Sequence, residues 1–145
     1  MTNLGNAYWQ QGRSEQAADH HQQALAMFRE IGDRSGEAKA LNGVGQTHRA
    51  TGQLHEAQIQ HTTALTLATL IGDRYELARA HNGLAHTHYA TGDLDQARHH
   101  WHEALALYAH LGVPDADDVR AHLTALHLAV DDEELPGTRD SPIRR

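Results

Sequence analysis

The sequence lacks cysteine entirely, which excludes disulfide bonds and zinc sites built on thiolates. Aromatic residues make up only 5% of the 145 residues, so the core has to be built from small aliphatic side chains, chiefly alanine and leucine. No run of 18 apolar residues occurs, and the first residues lack the basic and then apolar pattern of a secretory signal. We therefore expect a cytoplasmic protein that makes no contact with a membrane.

Positive charge is also scarce, because the formal net charge is −7 and Lys39 is the only lysine. Sequence-independent binding of nucleic acid needs a basic face, so direct contact with nucleic acid is not expected. The sequence contains no phosphate-binding glycine loop, nucleophile elbow or metalloprotease helix. We therefore predict a protein that is not an enzyme and that needs no cofactor.

Histidine, in contrast, is abundant, with 14 residues in the chain. No pair has the four-residue spacing, with a carboxylate to complete the site, that metal ions usually require on a helix, so no metal site is predicted. If His21, His48, His61 and His88 are buried and neutral, their pKa values fall below the unfolded value of about 6.5. Stability would then decrease as the pH falls below that value.

The most informative feature is an internal repeat with a period of 40 residues. Residues 31–60 and 71–100 are identical at 15 of 30 aligned positions, and a third, more divergent copy precedes them. Apolar residues recur at steps of three and four within each copy, and a glycine (Gly12, Gly52 or Gly92) divides each copy where a helix would end in a left-handed residue. The pattern predicts helices near 2–11, 14–31, 35–50, 54–71, 75–90 and 94–111, with Gly32, Gly72 and Gly112 after the second helix of each copy.

The repeated residues carry a resemblance to a known family. The series Val44-Gly45, His48, Gly52, Ala57 and Ala64 recurs as Leu84-Ala85, His88, Gly92, Ala97 and Ala104, and earlier as Leu4-Gly5, Tyr8, Gly12, Ala17 and Ala24. This series resembles the tetratricopeptide repeat in a longer variant of about 40 residues. The phrase that begins Gly-Asp-Arg further resembles repeat arrays in actinobacterial regulatory proteins. His21 and His61 replace an aromatic residue that the family usually has in the second helix, where Trp101 conforms.

The resemblance implies an all-α fold, a right-handed α-solenoid of three helix-turn-helix repeats. The repeats would span residues 1–33, 34–73 and 74–113. Pro114 and three aspartates favour a helix start, and Val119, Leu123, Leu126 and Val130 form one apolar stripe, so a capping helix is predicted over 115–130. Together these elements form one domain over 1–130. The segment 131–145 has almost nothing to bury and is predicted to be disordered.

In this family the first helices line a concave groove that binds peptides. The family's groove positions fall on ten residues of this sequence: Asn6, Trp9, Lys39, Asn42, Gln46, Arg49, Arg79, Asn82, His86 and Tyr89. Asn42 and Asn82 recur in register and are predicted to hold an extended backbone, because a carboxamide both donates and accepts; the alternative is that each satisfies a neighbouring helix. Lys39, Arg49 and Arg79 favour an acidic partner segment or a C-terminal carboxylate, unless Lys39 and Arg79 pair with Glu37 and Glu76.

We therefore predict a module that binds a protein or peptide and regulates or scaffolds a larger protein. The first copy begins in the middle of its first helix, so the sequence is interpreted as a fragment of a longer chain. The alternative function is self-association into homo-oligomers such as a homodimer. In that case the incomplete first repeat leaves one side of the next helix, around Ala17, His21, Ala24 and Leu25, partly uncovered and able to pair with another copy.

Overall fold

The computed structural model describes residues 3–138 of the chain, and the side chains of residues 12–128. This part of the chain contains six helices and no strand, which confirms the all-α prediction. The helices are α1 (Asn3–Ile31), α2 (Arg34–Ala50), α3 (Leu54–Ile71), α4 (Arg74–Thr91), α5 (Leu94–Leu111) and α6 (Asp115–Thr138).

The second and third copies form the predicted helical hairpins, α2 with α3 and α4 with α5. The turns lie at Gly52 and Gly92, whose φ angles of 81° and 87° are left-handed and cost glycine little. The same conformation follows the second helix of each copy, at Gly32, Gly72 and Gly112. The glycines therefore end the helices at the predicted places in these copies.

Aspartate side chains begin three of the helices. Asp73 accepts a hydrogen bond from the backbone N–H of Glu76 at 3.0 Å, and Asp93 accepts one from Gln96 at 3.2 Å. Asp33 does the same for α2. Each bond satisfies a backbone donor that the first turn of a helix leaves without a partner.

The first copy is not a hairpin, and this prediction was wrong. α1 runs without interruption from Asn3 to Ile31, and Gly12 does not adopt the left-handed conformation of Gly52 and Gly92. Position 13 is an arginine, which cannot accept a hydrogen bond as Asp93 does at the equivalent place. Gln53 makes no such bond in the second copy and the turn at Gly52 still forms, so the missing cap disfavours the turn at Gly12 without deciding it alone. A continuous helix keeps every backbone hydrogen bond through Gly12, whereas a turn there would interrupt the series.

Each helix packs against the next along the chain, and α2 also packs against α4. Many of the residues at these contacts are fully buried alanines. Because their side chains are small, the helix backbones can approach closely. This arrangement of stacked hairpins is an α-helical repeat solenoid, as predicted; its right-handed sense stays a prediction.

α6 covers the last hairpin by packing on α5. Val119 and Leu126 of the predicted stripe are buried, and Leu123 is partly buried. The helix extends to Thr138, beyond the predicted end at 130, because glutamate and leucine at 133–135 are good helix formers. Residues 139–145, the rest of the predicted disordered tail, lie outside the described part of the chain.

Candidate functional site

A polar cavity of about 160 Å³, here called the central hollow, lies among α2, α3, α4, α5 and the start of α6. It contains five of the ten predicted groove residues: Asn42, Gln46, Arg49, Arg79 and Asn82. The remaining lining residues are His61, Gly83, Tyr108 and Asp115. The polar positions of α2 and α4 that the repeat register assigned to one groove thus lie together. Tyr108 and Asp115 also line the hollow, and no pattern in the sequence indicated a binding role for either residue.

Arg49 is the most unusual residue of the hollow. Its side chain is half-buried, and its Nε atom is buried without a hydrogen-bond partner in the described part of the chain. No carboxylate among the described residues pairs with it, and burial lowers its pKa. A guanidinium remains charged at neutral pH, and a half-buried charge without a counter-charge is costly. Asp115 also lines the hollow but accepts a hydrogen bond from Tyr75 rather than from Arg49, so the guanidinium remains available to an anionic group.

Arg79, in contrast, is already neutralised. Its Nη1 atom lies 3.0 Å from Oε1 of Glu76, a carboxylate that is only 6% exposed. Its Nη2 atom lies 3.5 Å from Oε1 of Gln46. The alternative that Arg79 pairs with Glu76 is therefore what the structure shows, and Arg79 contributes less free positive charge than Arg49.

Asn42 does not offer its amide to a ligand, and this part of the predicted asparagine row was wrong. The side chain is 1% exposed, and its Nδ2 donates to the backbone oxygen of Glu76 at 3.0 Å and to Oε1 of Glu76 at 3.1 Å. Its Oδ1 lies 2.9 Å from Nδ1 of His61. Asn42 thus satisfies the neighbouring helices, as the alternative proposed, because Glu76 of the next copy turns inward.

Asn82 is half-buried and only partly engaged. Its Oδ1 accepts a hydrogen bond from Nε1 of Trp101 at 3.0 Å. Its Nδ2 has no partner among the described residues. Asn42 and Asn82 are equivalent in the repeat, yet only Asn82 keeps donors that could reach a bound chain.

His61 forms a buried wall of the hollow. Since the amide nitrogen of Asn42 faces Glu76, the oxygen faces His61, and Nδ1 of the imidazole must carry the proton. Nε2 is then an acceptor, and it is buried without a partner in the described part of the chain. Burial, with a smaller contribution from Arg49, lowers the pKa of His61 to about 3. The ring is therefore neutral throughout the physiological pH range.

Two glycines provide the space for this ring. A Cβ atom at Gly83 would lie 2.3 Å from Nε2 of His61, and one at Gly45 would lie 2.8 Å from the same atom. The imidazole is therefore held between the first helices of the second and third copies, in the position that Trp101 takes in the next copy. The replacement of an aromatic residue by His61 was visible in the sequence, but its hydrogen bond was not.

A second cavity, here called the side cavity, has a volume of about 290 Å³. It is lined by His21, Ala24, Phe28, Lys39, Ala40 and Arg79. Arg79 borders both cavities. Lys39 is exposed and has no ion-pair partner among the described residues, because Glu37 pairs with Arg29 at 3.1 Å instead. The predicted pairing of Lys39 with Glu37 was wrong.

His86 and Tyr89 lie outside the central hollow, in a ring cluster around Trp101. The ring centroid of Trp101 lies 5.2 Å from that of His86, 5.8 Å from that of Tyr89 and 5.1 Å from that of His122 on α6. Burial lowers the pKa of His86 to about 4. Because Trp101 donates a hydrogen bond to Asn82, which lines the hollow, the ring cluster is adjacent to the central hollow. Asn6 and Trp9 lie outside the residues whose side chains are described.

His81 and His100 form a pair rather than part of a metal centre. Nδ1 of His81 lies 2.9 Å from Nδ1 of His100, so one nitrogen must donate a proton to the other. Burial lowers the pKa of both, to about 4 for His100. In the described part of the chain, no group of three histidine or carboxylate side chains is arranged to hold a metal ion. His48 and His88 are half-buried rather than buried.

Stacked helical hairpins of equal length that share a polar hollow define an α-helical repeat protein. The chain belongs to the tetratricopeptide repeat family: residues 1–69 match one profile of the family, and residues 78–111 match another. Repeats of this family generally mediate protein–protein interactions and are typically not enzymes. No curated protein sequence matches the chain. In the described part of the chain, no helix is both long and apolar enough to span a bilayer.

Proposed function

We propose that the chain is a non-catalytic module that binds an extended, acidic segment of a partner protein, within a larger regulatory or scaffolding protein. The observation that carries the proposal is the half-buried guanidinium of Arg49, which forms no ion pair with any carboxylate of the described residues, including Asp115, which also lines the central hollow. A carboxylate of the partner would supply that charge and accept a hydrogen bond from the buried Nε. Family membership supports the broader part of the proposal, a protein-binding role.

The neighbours of Arg49 suit a polypeptide rather than an isolated ion. Gln46 is exposed, and Asn82 has a free Nδ2 donor, so both can hydrogen-bond to peptide groups regardless of the partner's side chains. Tyr89 is exposed beyond the hollow and offers apolar contact. Lys39, at the side cavity, offers a second cation. A segment that follows these residues would pass from a cationic to an apolar environment.

The net charge of −7 makes the position of the cations important. The protein as a whole repels an acidic partner, so attraction has to come from Arg49 and Lys39 at short range. Binding should therefore depend on these side chains individually. It should also weaken as the salt concentration rises, because the contact at Lys39 is exposed.

The proposal is tested with fluorescein-labelled octaglutamate, with octaglutamine and octalysine as probes of the same length. Fluorescence polarisation should show binding of octaglutamate only, and Arg49→Ala should weaken it about tenfold, since a hydrogen bond to a charged group contributes about 1.5 kcal/mol or more. Arg120→Ala is the matched control, because Arg120 pairs with Asp117 on the surface of α6. Equal affinity for octaglutamate and octaglutamine, or equal losses for the two variants, would refute the proposal.

A further inference from the structure

One face of α1 is left open although the same face is buried in the other copies. Its members occupy equivalent positions in all three repeats and are only half-buried in the first: Ala17, His21, Ala24 and Phe28. Their equivalents in the second and third copies are all buried: Ala57, His61, Ala64 and Ala68, and Ala97, Trp101, Ala104 and Tyr108. The four residues of the first copy are here called the open face of α1.

In the second copy the equivalent face is covered by the first helix of the same repeat. Gly45 of α2 lies against the imidazole of His61, where an added Cβ would be only 2.8 Å from Nε2. By the period of 40 residues, Gly5 and His21 correspond to Gly45 and His61, so Gly5 would lie opposite His21 if the first copy were a hairpin. Residues 3–11 thus have the sequence of the missing cover, since Leu4-Gly5 and Tyr8 correspond to Val44-Gly45 and His48.

The continuous course of α1 prevents residues 3–11 from covering the open face of their own chain. A helix advances about 1.5 Å per residue, so the segment extends away from His21 along the same axis. In the second and third copies the chain reverses at a left-handed glycine, but Gly12 stays in the helix. The cover and the face it fits are therefore both present in one chain and held apart.

We propose that two copies of the chain exchange residues 3–11, so that this segment of each copy covers the open face of the other. The first and second helices of a repeat are antiparallel, and an exchanged pair of α1 helices would be antiparallel in the same way. The pairing of Gly45 with His61 translates to Gly5 of one copy against His21 of the other. Both such contacts form at once when a two-fold axis passes near residue 13, which gives a closed dimer.

The exchange would also complete the candidate site. Residues 3–11 of the second chain, which contain two positions of the predicted groove, would lie beside the side cavity, which His21 and Phe28 line together with Lys39. The dimer does not depend on the proposed acidic ligand. A monomer that still binds octaglutamate would refute the exchange and leave the proposed function intact.

Sedimentation velocity of the full chain provides the first test. The exchanged dimer has twice the monomer mass of 16.0 kDa, and its dissociation constant can be measured by dilution. Gly12→Ala favours the continuous helix and meets no atom within 4 Å, so it should tighten the dimer at least fivefold. Arg13→Asp introduces a cap like Asp93, which favours a closed hairpin, and should weaken the dimer to a similar degree.

Site-specific crosslinking provides the second test and benefits from the absence of cysteine. In the Gly5→Cys/His21→Cys double variant, a short bismaleimide reagent should yield a covalent dimer. A link within one chain would indicate a closed hairpin and overturn the proposal. A chain that stays at 16.0 kDa at 100 µM, about 1,000 times a dissociation constant of about 0.1 µM, would overturn it as well. A dimer that this reagent does not link would use another surface and would also overturn it. If the double variant does not fold, the opposite shifts of Gly12→Ala and Arg13→Asp still decide.

Discussion

The replacement of Gly83 by alanine tests how tightly the repeats close around His61. The added Cβ would lie 2.3 Å from Nε2 and Cε1 of the imidazole, a distance that no packed structure tolerates. The ring has little room to move, because it is 2% exposed, it lies against Gly45 on the other side, and its Nδ1 is bonded to Asn42. Either the ring or α4 must shift.

The expected loss of unfolding free energy in Gly83→Ala is the balance of opposing contributions. Alanine stabilises a helix interior by about 1 kcal/mol relative to glycine. Overpacking a close-packed core costs about 1–3 kcal/mol, and displacement of the imidazole from Asn42 costs about 1 kcal/mol more. The net effect is a loss of roughly 1–3 kcal/mol of unfolding free energy. For a chain of this size the melting temperature should fall by roughly 3–10 °C.

The assay is urea or thermal unfolding followed by circular dichroism, carried out as a double-mutant cycle. In the His61→Ala background the space of the ring is vacant, so Gly83→Ala should be neutral or stabilising by up to about 1 kcal/mol. A melting temperature of Gly83→Ala equal to or above that of the parent would refute the reasoning. The same loss in both backgrounds would show that His61 is not the cause.

Two further predictions concern the same core. His61 and His86 have pKa values of about 3 and about 4, below the unfolded value of about 6.5, so the unfolded state binds more protons between these values. The stability that these two histidines contribute is complete above pH 6.5 and is lost as the pH falls toward 4. His61 alone should account for about 1 kcal/mol of unfolding free energy between pH 7.5 and 5.5. A melting temperature that does not change over this range would contradict the burial of the rings. Asn42→Ala leaves the buried Nδ1–H of His61 without a partner and removes two hydrogen bonds to Glu76, so it should cost roughly 2–4 kcal/mol in urea unfolding. Asn82→Ala, which loses a single half-buried bond, should cost about 1 kcal/mol or less, and equal costs would argue against the different environments of the two asparagines.

The candidate site was only partly predictable from the sequence, because the repeat register relates equivalent positions but does not show which side chains of other copies they contact. The repeat register indicated which positions of α2 and α4 face one another, and Gln46, Arg49 and Asn82, which it assigned to one groove, line the central hollow. The register treats Asn42 and Asn82 as equal, however, because they occupy the same position in adjacent copies. What separates them is the residue each one meets, Glu76 for Asn42 and Trp101 for Asn82. Such contacts join different copies and leave no local pattern in the sequence.

The sequence by itself determined the helices of the second and third copies, their left-handed glycine turns and their stacking, because these depend on local periodicity, on glycine and on capping residues repeated every 40 positions. Only the tertiary structure decided that α1 continues through Gly12, that Glu76 neutralises Arg79, and that Arg49 forms no ion pair among the described residues. The physical reason is that local conformation follows from the preferences of neighbouring residues, whereas the pairing of a buried charge depends on which side chains of other helices reach it first.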